Sequence, residues 1–108
     1  MAGDDRKRAA HRALVDRILN GPGRASAEQR ALAFRNDGSL PPPVAELVDK
    51  VARTAAEVTE ADFAAARAAG ASEDELFELV VCAAVGQSTR LYEAGLAALA
   101  EGRSDGAS

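Results

Sequence analysis

Few residues in this sequence are of types that do chemistry. Cys82 is its one cysteine and His11 its one histidine. A lone thiol excludes an intrachain disulfide and excludes two-thiol redox chemistry within one chain. Glu78 precedes Cys82 by four residues, the spacing at which side chains meet on a helix. A carboxylate beside a thiol in a partly buried pocket can act as base or orienting group. The same carboxylate raises the thiol's pKa and so disfavours the reactive thiolate. The favoured reading is therefore a small, buried, inert cysteine and an acid paired with a neighbouring arginine. His11 lies between Ala10 and Arg12, away from any His, Cys, Asp or Glu cluster at ligand spacing, so it reads as a surface or helix-packing residue. Ser72 has no histidine to activate it. The Gly21-Pro22-Gly23 turn lacks the Gly-Lys-Ser/Thr of a phosphate loop. Tyr92 reads as a core or interface residue, and Arg53, Arg67 and Arg90 as partners in helix-surface ion pairs rather than anion contacts. No pattern calls for a metal or a cofactor.

The elements that position these residues are all helical, and no strand alternation or long repeat is present. Turn signals at Asn20-Gly21-Pro22-Gly23, at 36–43 and at Gly70-Ala71-Ser72, with a weaker break at Val58-Thr59, divide the chain into about five helices. The first is expected over residues 4–19. The second is expected over 27–35, with Ser26 as N-cap. The third runs over 43–57, its Val44, Leu47, Val48, Val51, Ala55 and Val58 in three-four spacing, and the fourth starts at Thr59 and ends at Gly70. Ser72 with Glu75 forms a capping box that opens the fifth, which is expected to run to about residue 100. Gly86 and Gly95 weaken that helix or let another helix approach closely. From Leu76 to Val85 only Glu78 interrupts an apolar sequence, which predicts a helix buried all round, at the centre or at a subunit interface. On a helical projection Leu76, Phe77, Val80, Ala84, Leu91 and Gly95 share one face, with Glu75, Glu78, Cys82, Thr89 and Glu93 opposite. The expected architecture is one all-α domain over 1–108, a bundle with a long, apolar C-terminal helix and short flexible tails at 1–3 and 102–108.

Composition narrows the partners. Aromatic residues make up 4% of the 108 residues, so the core is built from small side chains that bury little area each. Self-association to a homo-oligomer is expected to supply some of the burial. Thirteen basic against seventeen acidic residues give a net charge of −4, which argues against a nucleic-acid partner. The Arg6-Lys7-Arg8 cluster with Arg12 follows Asp4-Asp5 and reads as a solvated helix turn. The absence of a secretory leader and of a membrane-spanning apolar run points to a cytoplasmic protein without a membrane partner.

Two stretches resemble the carboxymuconolactone decarboxylase and alkylhydroperoxidase D-like superfamily. Residues 12–21, Arg-Ala-Leu-Val-Asp-Arg-Ile-Leu-Asn-Gly, are similar to an N-terminal segment of the decarboxylase branch. Residues 64–79, Ala-Ala-Ala-Arg-Ala-Ala-Gly-Ala-Ser-Glu-Asp-Glu-Leu-Phe-Glu-Leu, resemble the family's helix–turn–helix, and Arg90-Leu91-Tyr92-Glu93-Ala94-Gly95-Leu96 the end of the long helix that follows. Together they cover most of residues 8–100. Redox members carry Cys-x-x-Cys-x-x-His ahead of the helix–turn–helix. The resemblance sets those positions at Ala56, Thr59 and Asp62, none of which is a thiol or an imidazole, and Cys82 corresponds to neither cysteine. It further implies a homo-oligomer with the fifth helix in the shared core, and a pocket near the junction of the third and fourth helices, where Glu46, Glu57, Thr59 and Asp62 are the polar groups.

These readings converge on a family protein without the redox-active cysteine pair, oligomeric and binding a small molecule or a partner. One alternative is a decarboxylase- or lactone-type enzyme using Glu57, Asp62 or Glu78 as acid or base. Others are an alkylhydroperoxidase-type activity through Cys82, and a module whose fifth helix serves only assembly.

Overall fold

The computed structural model describes residues 2–107, with side chains described over 5–102. Most of the tails expected at 1–3 and 102–108 therefore lie outside the described side chains. The described residues are all-α: α1 (Ala2–Asn20), α2 (Ala27–Arg35), α3 (Pro42–Arg53), a 3-10 turn (Ala55–Glu57), α4 (Glu60–Ala68) and α5 (Glu73–Ala107).

Local chemistry sets most of the boundaries. Ser26 caps α2 through reciprocal bonds with Gln29, the Gln29 N–H donating to the serine hydroxyl at 3.0 Å and the Ser26 N–H to Gln29 Oε1 at 3.1 Å. The helix stops at Asn36, which adopts the left-handed conformation (φ 53°) and returns its N–H to the last carbonyls. Prolines in the first turn of α3 occupy positions where a missing N–H costs nothing. Gly70 takes φ 108° after α4, and Ser72 and Glu75 form the expected capping box at the start of α5, at 3.0 and 3.1 Å.

One expected helix is shorter than its pattern. α3 ends at Arg53, because Thr54 leaves helical geometry (φ −142°, ψ 54°) and the chain tightens into the 3-10 turn. The break brings the extended Val58 back against the core and lets α4 return alongside α3. A continued helix would carry Val58 past the core.

α5 is the axis of the molecule. Its 35 residues span about 52 Å at 1.5 Å per residue, close to the 56 Å long dimension of the chain. The first half packs on α2 and α3 through Leu76, Leu79, Cys82 and Ala83, against Ala33, Leu47 and Val48. Gly86 is the closest approach: a β-carbon there would lie 2.7 Å from the Phe34 carbonyl carbon, so only glycine lets α2 sit this near. Gly95 has open space around it. α1 runs antiparallel to α5, with Ile18 opposite Cys82 and His11 opposite Thr89.

The expectation that α5 is buried all round does not hold within the chain. Leu76 is 1% exposed but Phe77 69% and Leu91 63%. Of the face assigned to Leu76, Phe77, Val80, Ala84, Leu91 and Gly95, only Leu76 is buried. Packing of α1 to α4 leaves Phe77, Ala84, Leu91 and Gly95 of that face exposed and Val80 half-buried.

Candidate functional site

Glu78 and Cys82 lie on the side of α5 that faces the turn between α1 and α2. The Glu78 carboxylate accepts backbone N–H groups from Arg24, at 2.7 and 2.9 Å, and from Ala25, at 2.6 Å. It is thus an anchor for the 21–25 turn rather than one half of a salt bridge or a base directed at the thiol. Gly23 passes so close that a β-carbon would lie 3.0 Å from the Glu78 carboxyl carbon. Cys82 is 1% exposed, and its thiol points at the Ile18 carbonyl, 3.6 Å away. Burial pushes the thiol up to about 11; the nearby Glu78 charge pushes the same way and Arg30 opposes both. A buried thiol held protonated is a poor nucleophile, and the geometry gives Cys82 a packing role.

Arg30 is the residue that sequence reasoning missed. It is 7% exposed, the one charged side chain buried in the core among the described residues. Nη1 donates to the carbonyls of Ile18 at 3.2 Å and Gly21 at 2.8 Å. These are orphan acceptors at the C-terminus of α1, where a cation also meets the negative end of the helix dipole. Nε has no hydrogen-bond partner. The available signal was an arginine three and four residues before Ala33 and Phe34, on the apolar face of α2. Arg30, Glu78, Arg17, Ile18, Pro22, Phe77 and Val81 line a cleft of about 200 Å³.

The other polar group lies where α3 meets α4. Lys50 Nζ donates to Asp62 at 2.9 and 3.2 Å, and the carboxylate also accepts the Thr59 N–H at 2.9 Å and the Thr59 hydroxyl at 3.2 Å. The hydrogen bond from Lys50 and that from the Thr59 backbone hold the Asp62 carboxyl below its ordinary range. Lys50 is raised, first by Asp62 and then by the charges of Glu57 and Glu46. Glu46, Glu57, Thr59 and Asp62 therefore do gather, around a lysine that the sequence reading did not single out. The three candidate acids are divided between two places, Glu57 and Asp62 near Lys50 and Glu78 at the α1–α2 turn. Ala56, Thr59 and Asp62, the positions the resemblance gives to Cys-x-x-Cys-x-x-His, form an exposed 3-10 turn and a helix start.

The remaining candidates are structural. Thr89 donates its hydroxyl proton to Val85 O, so His11 Nε2–H must be the donor in their 2.8 Å bond; the histidine ties α1 to α5, with Tyr92 6.0 Å away. Arg53 pairs with Asp49, and Arg67 with Glu60 and Glu73, as expected. Arg90 departs from that pattern: it donates to the Phe34 carbonyl at 2.7 Å and to Gln87 at 3.1 Å, capping the C-terminus of α2. Among the described residues there is no cluster able to hold a metal ion and no helix long and apolar enough to cross a membrane. No known protein family, curated protein or solved structure matches the chain.

Proposed function

We propose that this chain is a self-associating helical protein, a member of the carboxymuconolactone decarboxylase and alkylhydroperoxidase D-like superfamily without the redox-active thiol pair, which binds a small molecule or a partner. The observation that carries the reading is the uncovered side of α5. Phe77, Val81, Ala84, Ser88, Leu91 and Gly95 follow alternating steps of four and three residues. At 100° per residue they fall within about 40° of one line. That is the repeat of a helix-pairing seam, and small residues at Ala84, Ser88 and Gly95 suit close approach by a second helix.

The surface area supports it. A folded monomer of 11.1 kDa exposes about 5,700 Å², whereas this chain exposes 7080 Å². The excess of roughly 1,400 Å² exceeds the area of about 800 Å² that each partner buries in a standard interface. The radius of gyration, 16.4 Å, likewise exceeds the about 13 Å of a compact chain of this length. The protonated, buried Cys82 and the absence of a second thiol support the non-redox part. The reading includes a cytoplasmic location and excludes nucleic acid, on the acidic charge balance.

Sedimentation at micromolar concentration tests it. The wild-type chain should sediment as a dimer or larger, and Leu91→Glu should sediment as a monomer of unchanged helicity by circular dichroism. A stable wild-type monomer overturns the proposal.

A further inference from the structure

We propose that two copies of this chain pair antiparallel through α5, about a two-fold axis on the side of the helix opposite residue 86. The proposal rests on the self-association of α5 and adds its direction, its register and the number of copies. The seam reads alike from either end. Ala84 and Ser88 lie two residues either side of position 86, Val81 and Leu91 five, and Phe77 and Gly95 nine. A second α5 running the opposite way therefore sets Ala84 against Ser88, Val81 against Leu91 and Phe77 against Gly95. Each contact is made twice, as two-fold symmetry requires. Small residues fall at the centre, where crossing helices come nearest, and the largest side chain meets the residue that has none. Gly86 faces the other way, against α2, so the axis passes clear of the core. Other pairings fit worse. Sliding the antiparallel helices by one heptad sets Leu91 against Ser88 or against Asp74, a polar group in either case. A parallel pair sets Phe77 on Phe77 and Gly95 on Gly95, crowding one layer and leaving a gap in another.

The surroundings of the two halves favour the same direction. Phe77 is shared by two cavities. One, of about 400 Å³, has Phe63 and Arg67 of α4 in its wall, and the other, of about 200 Å³, has Arg17, Ile18 and Pro22. The first half of α5 is thus flanked on both sides, while residues 91–95 and 97–100 are exposed. Antiparallel pairing lays the bare second half of each α5 between the cavities of the other copy. Charge points the same way. Parallel pairing would bring the Glu73-Asp74-Glu75 clusters of the two copies side by side, and like charges facing each other across an interface are costly. Antiparallel pairing holds them about 36 Å apart, opposite the uncharged Ala97, Ala98 and Leu99, and sets the helix dipoles head to tail.

Double electron–electron resonance on Glu101→Cys carrying a nitroxide tests the direction. Cys82 is buried, so labelling the folded chain marks position 101. Glu101 lies fifteen residues beyond the centre of each helix, so antiparallel pairing predicts a distance of about 45 Å. A distance under about 20 Å, as helices packed side by side in parallel would give, overturns the proposal. Mixing two charge variants tests the register. Val81→Glu and Leu91→Lys should each sediment as a monomer with native circular dichroism, and an equal mixture should recover the wild-type dimer, because Glu at 81 meets Lys at 91 only in this register. A wild-type dimer whose charge variants do not recombine overturns the register and leaves self-association standing. A wild-type monomer overturns both.

Discussion

The two halves of α5 share residue types in different surroundings. Each carries leucine, alanine and glycine. In the first half Leu76 and Leu79 are buried, and Gly86 lies against the backbone of α2. In the second half Leu91 and Leu99 are exposed, and Gly95 faces open space. The same residue types therefore do opposite work. A glycine is required where another backbone passes within contact distance, and only weakens the helix where nothing does. Apolar side chains stabilise the first half by burial within the chain; in the second half they gain nothing until a second surface covers them.

Substitutions along the helix test this contrast. Gly86→Leu should have the largest effect, destabilising by about 4 kcal/mol or more, since its side chain must displace the α2 backbone. Urea denaturation followed by circular dichroism measures the loss; a near-native midpoint would show that the close packing at Phe34 is not needed. Glu78→Ala, still in the packed half, should cost about 1–3 kcal/mol by stranding the Arg24 and Ala25 N–H groups. It should also speed hydrogen exchange at those two amides, and unchanged exchange there would break the assignment of Glu78 as the loop anchor. In the open half, Gly95→Ala should instead stabilise by about 0.5–1 kcal/mol through helix propensity alone. Destabilisation at Gly95 would mean that the second half already packs tightly on something, and would sharpen the case for a close helix–helix seam.

The smallest effect is the response to pH at the Lys50–Asp62 pair, where partial exposure screens the charges. The Asp62 carboxyl is held below its ordinary value of 3.8. Its contribution is present at pH above the unfolded value and is lost as pH falls through the lower folded value. Lys50 is raised above 10.5, so its contribution is complete below that pH and is lost as pH rises through the higher folded value. Asp62→Asn should remove the acid-side dependence at this position, read as a flatter melting temperature below about pH 4. An unchanged acid profile would show that the pair is electrostatically idle.

The candidate acids and cations show why the site was only partly legible. Asp62 was readable as a polar group at the start of α4, because its Thr59 contacts join residues three apart. Lys50 was not, because it comes from α3, twelve residues earlier. Glu78 and Cys82 were readable as neighbours on one helix face. What they face was not: Glu78 binds amides 53 and 54 residues away, and Cys82 shares the Ile18 carbonyl with Arg30. Arg90 reads from sequence as one more surface arginine, and only the approach of α2 at Gly86 turns it into a helix cap.

By itself the sequence determined the all-helical class, most of the helix boundaries (the ends of α3 and α5 excepted) and the impossibility of two-thiol chemistry within the chain. Caps, left-handed glycines and three-four spacing act between residues three or four apart, and a cysteine count needs no geometry. Tertiary structure alone decided that α3 stops at Arg53, that Cys82 is buried and held protonated, that Glu78 anchors a loop, and that Arg30 is buried with one edge unpaired. Each of these depends on burial or on a contact between distant segments, and desolvation and long-range hydrogen bonds exist only once the helices have packed.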